Sequence, residues 1–444
     1  MSERSFIKTN VLRAKAQAMI PGGSHTYAKG DDQYPVLSPS HIVRGLGCHV
    51  WDADGNEYIE YGNGNRAVSL GHAFPAVIEA VKKELANGVS FTRPAAIEVA
   101  AAERFLQAIP NAEMVKFSKD GSDATSGAVK LARGYTGRDL IAICADQPFF
   151  SVDDWFIGST AIHGGIPDAV RRLTVKFRYN DIESVKALLA EYPGQIAGFI
   201  LEAERIDPPK DNFLHELQRL ARADGALLIL DEMITGFRWH NRGAQHVHGI
   251  DPDLSTWGKA LGNGFSVSAL AGKREYMRLG DCEQTDFKRV FLLSTTHGGE
   301  THGLAAAIAT MDVYDTEPVI ERLHAAGERL RMGFQQASAR HGLEKHVTVM
   351  GRASNLLFGA TDHEGKPSQE FRTLFLQETI KRGVIMPSLV VCYSHSDEDI
   401  DRTIEAIDGA MAVYKRALEA GSVEGLLVGR PSAPVYRTYN PKPA

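Results

Sequence analysis

The 444-residue sequence predicts an α/β protein: a mostly parallel sheet covered on both faces, accompanied by a second, smaller α+β domain. Two observations carry this. From about residue 110 to 300, short apolar runs alternate with amphipathic helical stretches, the pattern of strands joined by crossover helices. After Thr316 and Pro318 the sequence turns to long helical periodicity, with Ile320, Leu323, Leu330 and Phe334 on one face and then Ile400, Ile404, Ile407, Met411, Tyr414 and Leu418 on another.

Taken in order, the chain to about residue 60 is rich in Gly and Pro. It holds short extended segments, His49-Val-Trp-Asp52 and Glu57-Tyr-Ile-Glu60, joined by the Asp52-Ala-Asp-Gly55 turn, and reads as a small β-rich flap. Pro75 opens a helix with Val77, Ile78, Val81 and Leu85 at helical spacing, which Gly88 ends. Met114–Phe117, Leu140–Cys144, Ile196–Leu201 and Ala226–Leu230 are the strands of the parallel sheet. Beyond Gly421 the prolines and weak periodicity predict a surface extension or a wrap around a partner subunit.

Composition narrows the function. The hydrophobic fraction of 43% suits a large folded core, and 49 Lys+Arg against 55 Asp+Glu leave a net charge of −6 with no dense basic run. Nucleic acid and membrane surfaces are poor partners for such a chain. The start, MSERSFIKTNVLRAK, lacks a signal peptide's apolar core and no run is long enough to span a bilayer, so the expected location is the cytoplasm. Cys48, Cys144, Cys282 and Cys392 are scattered, without metal or disulfide spacing, and read as reduced thiols. His240, His246 and His248 read as ordinary loop histidines, so no metal is expected. Gly62-Asn-Gly-Asn-Arg-Ala67 matches a dinucleotide fingerprint in letters but not in context, because Val-Ser-Leu-Gly-His rather than a helix follows.

Three features gain meaning together. Phe117-Ser-Lys-Asp-Gly-Ser-Asp-Ala-Thr-Ser-Gly127 follows a strand and opens a helix; small residues there expose backbone N–H groups at the positive end of the helix dipole, suited to a phosphate or simply to an N-cap. Asp231 ends the buried run Leu227-Leu-Ile-Leu, where ligands sit in open α/β sheets, although capping would explain it too. Lys259, in Thr256-Trp-Gly-Lys-Ala-Leu-Gly-Asn-Gly264, lies in company too apolar and glycine-rich for a solvent face, and a desolvated lysine can act as an amine nucleophile. A phosphate cradle, a strand-end aspartate and an activated lysine are what a pyridoxal phosphate site requires.

With these residues in place, the sequence resembles the class III, fold-type-I pyridoxal-phosphate aminotransferases, and within them the glutamate-1-semialdehyde aminomutase branch, from about Ala18 to Gly421. Leu230-Asp-Glu-Met-Ile-Thr-Gly-Phe-Arg238 is similar to the family's strand-end signature, and Gly249-Ile-Asp-Pro-Asp-Leu running to Gly258-Lys259 to its lysine segment. The resemblance implies a large cofactor domain over residues 71–316, a small domain built from residues 1–70 and 317–421, an extension over 422–444, and a homodimer with shared sites. It implies that Lys259 forms the Schiff base and moves the proton, that Asp231 holds the pyridine nitrogen, that Gly121 and Ser122 bind the phosphate, that Phe149 stacks on the ring, and that Thr296 reaches the neighbouring subunit's phosphate.

Departures from the aminomutase pattern fall on the substrate side. Lys29 stands where those enzymes carry a carboxylate-clamping arginine, Asn65-Arg66 where they have tryptophan and glycine, and Glu300-Thr301 where Asn-Pro is usual. Lys29, Asn65, Arg66 and Glu300 therefore predict a more polar site, with glutamate as donor and a sugar, nucleotide-sugar or aminocyclitol precursor as acceptor. The alternatives are a glutamate-1-semialdehyde 2,1-aminomutase and a non-catalytic binding protein on the same fold; the joint retention of Lys259, Asp231 and the cradle argues against the last.

Overall fold

The computed structural model describes residues 4–283 and 289–437, in two compact units: Met1–Phe74 with Glu321–Ala444, and Pro75–Ile320. The second unit is built on a seven-stranded sheet of β1 (Met114–Ser118), β2 (Leu140–Cys144), β3 (Thr174–Phe177), β4 (Ile196–Leu201), β5 (Leu227–Asp231), β6 (Leu254–Trp257) and β7 (Ser268–Gly272), in the order β1-β7-β6-β5-β4-β2-β3. Strands β3, β2, β4, β5 and β6 pair in parallel, whereas β7 runs antiparallel to both β6 and β1. The strand β7, Ser-Ala-Leu-Ala-Gly, is fully buried and carries no run of large apolar residues, so the sequence pattern did not announce it.

Side chains of the central strands alternate between two cores, as a two-sided sheet requires. Ile141, Ile143, Leu227 and Ile229 pack on one face with Ala124, Ala128 and Leu131 of α1 (Gly121–Thr136). Ala142, Cys144, Leu228 and Leu230 pack on the other with Leu214 and Leu217 of the helix Phe213–Asp224. Gly198 in β4 keeps the sheet close to α1: a Cβ there would lie 3.2 Å from the Leu227 carbonyl oxygen and 3.3 Å from the Ala132 methyl.

In the first unit, Ile42–Leu46, His49–Asp52 and Glu57–Glu60 form an antiparallel sheet that Val384–Ile385 extends by pairing in parallel with Glu57–Glu60. The Asp52–Gly55 turn forms as read, with the Asp52 Oδ1 accepting from the N–H groups of Asp54 and Asn56. The flap is not purely β: it opens with the helix Ile7–Met19, whose first turn is capped by the Asp54 carboxylate, accepting from the N–H groups of Lys8 and Thr9 at 2.8 Å each. A cap supplied from 45 residues away leaves no mark in the local sequence.

The helix Asp397–Ala420 starts in a capping box of Ser396 and Asp399, and the same Asp399 carboxylate accepts from the Cys48 thiol and pairs with His49 Nε2 at 3.0 Å. These three residues cluster closely enough to suggest a metal site. Their donors are instead consumed by the cap, which fixes the helix to the strand His49–Asp52.

Residues 422–437, read as an extension or a partner-wrapping tail, pack on their own unit: Ser432 is buried and its N–H donates to Thr373 Oγ1 at 2.8 Å. No helix among the described residues is long and apolar enough to cross a membrane.

The helix Val319–His341 passes so close to Ala353 that a Cβ at Gly327 would lie 1.9 Å from the Ala353 carbonyl oxygen. Gly327→Ala is expected to destabilise the protein by about 2 kcal/mol or more. Denaturant unfolding followed by circular dichroism checks this, and an unchanged midpoint would contradict the close approach.

Candidate active site

Asp231 is the last residue of β5 and is 4% exposed. Its neighbour in the ladder is Thr256, whose hydroxyl donates to Asp231 Oδ1 at 3.2 Å, and the Met233 N–H donates to the same oxygen at 2.9 Å. Burial, and after it the nearby Glu202 carboxylate, push the Asp231 pKa from 3.8 up to about 7, against the pull of Lys259. A carboxyl held so weakly acidic is ready to meet a protonated ring nitrogen, which would return it to the ionised form.

The Lys259 turn is anchored by Trp257. That indole is fully buried, edge-on to Phe105 at 5.7 Å and to Phe237 at 5.8 Å, and it ends β6. Lys259 itself sits in the left-handed region at φ 47°, uncommon for a residue with a Cβ, and opens a short 3₁₀ turn to Gly262. Gly258 is small for an internal reason: a Cβ there would lie 2.5 Å from Ser268 Oγ and 2.7 Å from Met233 Sδ. The room it leaves is filled by the protein, not held open for a ligand.

The phosphate-binding candidates lie at the start of α1. A Cβ on Gly121 would meet Met233 Sδ at 3.0 Å, so Gly121 and Gly258 both face the thioether of Met233, the residue whose N–H donates to Asp231. The sequence reading of freely exposed N–H groups needs correction: Asp120 Oδ1 accepts from Ser122 N at 2.8 Å and Asp123 N at 3.1 Å. The capping reading is therefore the one seen in this turn. The Ser122 hydroxyl oxygen accepts from the Val152 N–H, which leaves its own proton to donate.

Phe149 is 44% exposed and presents a flat face, whereas Phe150 is buried edge-on to Phe156 at 5.6 Å. Thr125 fixes both by donating to the Phe150 carbonyl at 2.8 Å. Thr296 is exposed in a turn that leads into the helix Thr301–Thr316. Glu300, read as a substrate contact, is engaged within the loop: it forms an ion pair with Lys119 and lies 3.4 Å from His297 Nδ1, and the Lys119 ammonium holds its carboxyl below the usual range.

Lys29, Asn65 and Arg66 belong to the other unit. Lys29 is exposed at the end of the 3₁₀ turn Tyr27–Lys29. Asn65 and Arg66 are left-handed at φ 58° and 72°, and Arg66 Nε donates to Asn355 Oδ1 at 2.8 Å. Arg66 thus keeps the backbone that a glycine would adopt freely, and adds a fixed guanidinium.

Glu202 was missed at the level of sequence. The register Leu201↔Leu230 carries it past the end of β4 beside Asp231; it is 3% exposed, with Oε1 held by Arg205 at 3.0 Å and Oε2 buried with no donor among the described residues. The signal was available, since Glu202 ends an apolar run as Asp231 does.

The aminotransferase class-III family profile matches residues 27–150 and 153–411. The chain belongs to the class-III aminotransferases. They are pyridoxal-phosphate enzymes, and this one has their fold type I. The chain is 34% identical to the glutamate-1-semialdehyde 2,1-aminomutase of Acetivibrio thermocellus, over 90% of this chain and 96% of that one. It is 33% identical to the enzyme of the same name from Aeropyrum pernix, over 91% and 97%. Among solved structures it is similar to the PLP internal aldimine form of FumI from Sphingopyxis sp. MTA144, at 28% identity and a TM-score of 0.85 over 95% of this chain and 99% of that one. An omega-transaminase from Sphaerobacter thermophilus superposes with a TM-score of 0.81 at 26% identity, covering 92% and 98%.

The residues present fit the cofactor of this class-III aminotransferase. Asp231 is buried with its acidity weakened, Phe149 is 44% exposed, and the Ser122 hydroxyl can donate to a phosphate at the turn that Asp120 caps.

Because Asp231 binds its proton more tightly in the folded apoprotein than in the unfolded chain, its contribution to stability is complete below about pH 4 and is lost as the pH rises to about 7. The loss amounts to about 1.4 kcal/mol per pH unit across that interval. Asp231→Asn is expected to remove this slope, so that urea unfolding of the cofactor-free variant varies less with pH between 4 and 7 than that of the parent; parallel profiles would refute the shift.

Proposed function

We propose that this aminotransferase moves an amino group from a donor, glutamate, to a polar carbonyl acceptor of the sugar, nucleotide-sugar or aminocyclitol class, working in the cytoplasm as a homodimer with shared sites. The observation that carries transfer chemistry is the convergence of Asp231, Lys259 and the Gly121 turn around Met233. Support for a polar acceptor comes from Arg66, whose guanidinium is fixed by Asn355 on a left-handed turn, together with Lys29 and Asn65.

Pyridoxal phosphate supplies an electron sink that makes the substrate carbon beside nitrogen acidic. In this chain, Asp231 would hold the ring nitrogen, Gly121 and Ser122 the phosphate with Thr296 of a second subunit, and Phe149 the ring face. Lys259 Nζ is the tethered base: it removes the proton from the donor carbon and returns a proton at the acceptor side, and the packed Trp257 indole fixes the backbone from which it extends. Glu202, through its negative charge next to Asp231, keeps the aspartate's affinity for a positive partner high.

A second reading is glutamate-1-semialdehyde 2,1-aminomutase, the name carried by relatives at 33–34% identity. Lys29 in place of the clamping arginine speaks against it, because lysine keeps the charge and loses the two-pronged grip on a carboxylate.

Lys259→Ala is expected to lower turnover by at least about a thousandfold and to abolish the visible absorption of the lysine-bound cofactor, while the protein remains folded by circular dichroism. Retained colour and rate would sink the assignment of the nucleophile. Glutamate-1-semialdehyde offered alone, without donor or 2-oxo acid, is expected to be turned over negligibly; rapid conversion, unchanged by added glutamate, would make the aminomutase reading the correct one.

A further inference from the structure

Lys29 stands on two consecutive single-turn 3₁₀ helices, Tyr27–Lys29 and Asp31–Gln33, joined at Gly30. Short 3₁₀ turns have little stability of their own. Here the second turn is clasped from the far end of the chain. Arg430 Nη2 donates to both the carbonyl and the carboxylate of Asp31, each at 2.8 Å, and Nη1 donates to the Tyr34 carbonyl at 3.3 Å, so one guanidinium spans the turn. The other carboxylate oxygen of Asp31 accepts from Arg13 Nε at 2.6 Å.

Around this clasp, the Ala433 N–H donates to the Asp32 carbonyl at 2.9 Å and Arg437 pairs with the Asp32 carboxylate. Gly429 lets the strand pass, since a Cβ there would lie 2.7 Å from Val36. The buried Ser432, bonded to Thr373 of the helix Gln369–Lys381, seats the same segment on the unit. Arg430 lies beyond residue 411, where the match to the family profile ends, whereas Asp31 and Tyr34 lie within it.

We propose that Arg430 is a positioning residue for substrate binding: through Asp31 and the Tyr34 carbonyl it holds the turn that presents Lys29 to a carboxylate of the substrate. The inference rests on the reading of Lys29 as a substrate contact. Gly30 transmits the constraint, because its N–H donates to the Tyr27 carbonyl while its carbonyl accepts from Gln33, so the two turns share one residue and move together. The guanidinium reaches these acceptors from two separate nitrogens, Nη1 and Nη2, whereas the single ammonium nitrogen of a lysine at 430 would have to serve them all from one point.

The test uses the full-length, cofactor-loaded protein with L-glutamate as the probe, following the loss of cofactor absorption in the half-reaction. Arg430→Ala is expected to raise the half-saturating glutamate concentration about tenfold, with the maximal half-reaction rate and the starting spectrum unchanged, and Arg430→Lys to recover only part of the loss. Lys29→Ala is expected to raise the same concentration, and adding Arg430→Ala to it to have no further effect. Hydrogen exchange over residues 24–34, measured without glutamate, is expected to quicken in Arg430→Ala and to stay at the parental rate in Lys29→Ala.

Unchanged exchange in Arg430→Ala, or glutamate effects that multiply in the double variant, would overturn the positioning role. Quickened exchange together with a Lys29→Ala variant that binds glutamate normally would instead overturn the role given to Lys29, and with it the consequence for substrate. Absence of any spectral response to glutamate in the parent would remove glutamate as the donor and overturn the proposal that the clasp serves its binding.

Discussion

The constraint on which the large unit depends is a carboxylate placed where water does not reach. A charged group at the end of a buried strand is costly unless something answers it, and among the described residues Asp231 is answered by a hydroxyl, one backbone N–H and the field of Lys259. Glu202, one strand away, worsens the imbalance. The surrounding geometry keeps that imbalance from relaxing: Trp257 is packed into aromatic neighbours, Gly258 is pressed against Ser268, and Met233 fills the space between the two glycine turns. Asp231 therefore holds its proton more tightly than an exposed carboxyl, and a cationic partner beside it would favour the ionised form.

A second carboxylate performs the opposite task nearby. Glu232, next in sequence to Asp231, is equally buried but fully answered, accepting from the N–H groups of Ala244 and Gln245 at 2.9 and 2.7 Å and from the Thr235 hydroxyl. It folds the loop after β5 onto the helix Gly243–Val247. Adjacent residues of one charge type are therefore divided by environment, Glu232 holding a loop and Asp231 facing fewer donors at the strand end.

What was legible in the sequence follows from physics that acts locally. β4 and β5 were readable because a strand buried on both faces must be continuously apolar, and the Lys259 turn because a lysine between tryptophan and glycines has no solvent role. What escaped depends on partners distant in the chain. Helix Ile7–Met19 is capped by Asp54, β7 is a strand by virtue of two neighbours rather than its own small residues, and Glu202 gains significance only from the register that sets it beside Asp231. An N-cap was one of two readings of the turn before α1, and the structure shows that cap, supplied by Asp120. Glu300 was read as a substrate contact, and its ion pair with Lys119 escaped because that lysine lies 181 residues earlier.

The parallel pairing of Glu57–Glu60 with Val384–Ile385 has a consequence for how the protein is made. The first strand leaves the ribosome with one edge unpaired, and its partner follows only after the whole of Pro75–Ile320 has been synthesised. At roughly 5–20 residues per second this is a wait of tens of seconds, long compared with the folding of a typical domain. The central unit, contiguous in the chain, can be complete while the N-terminal segment still exposes its strand edge. Short strands and the charged residues Glu57 and Glu60 on that edge limit the opportunity for a second nascent chain to take the place reserved for Val384.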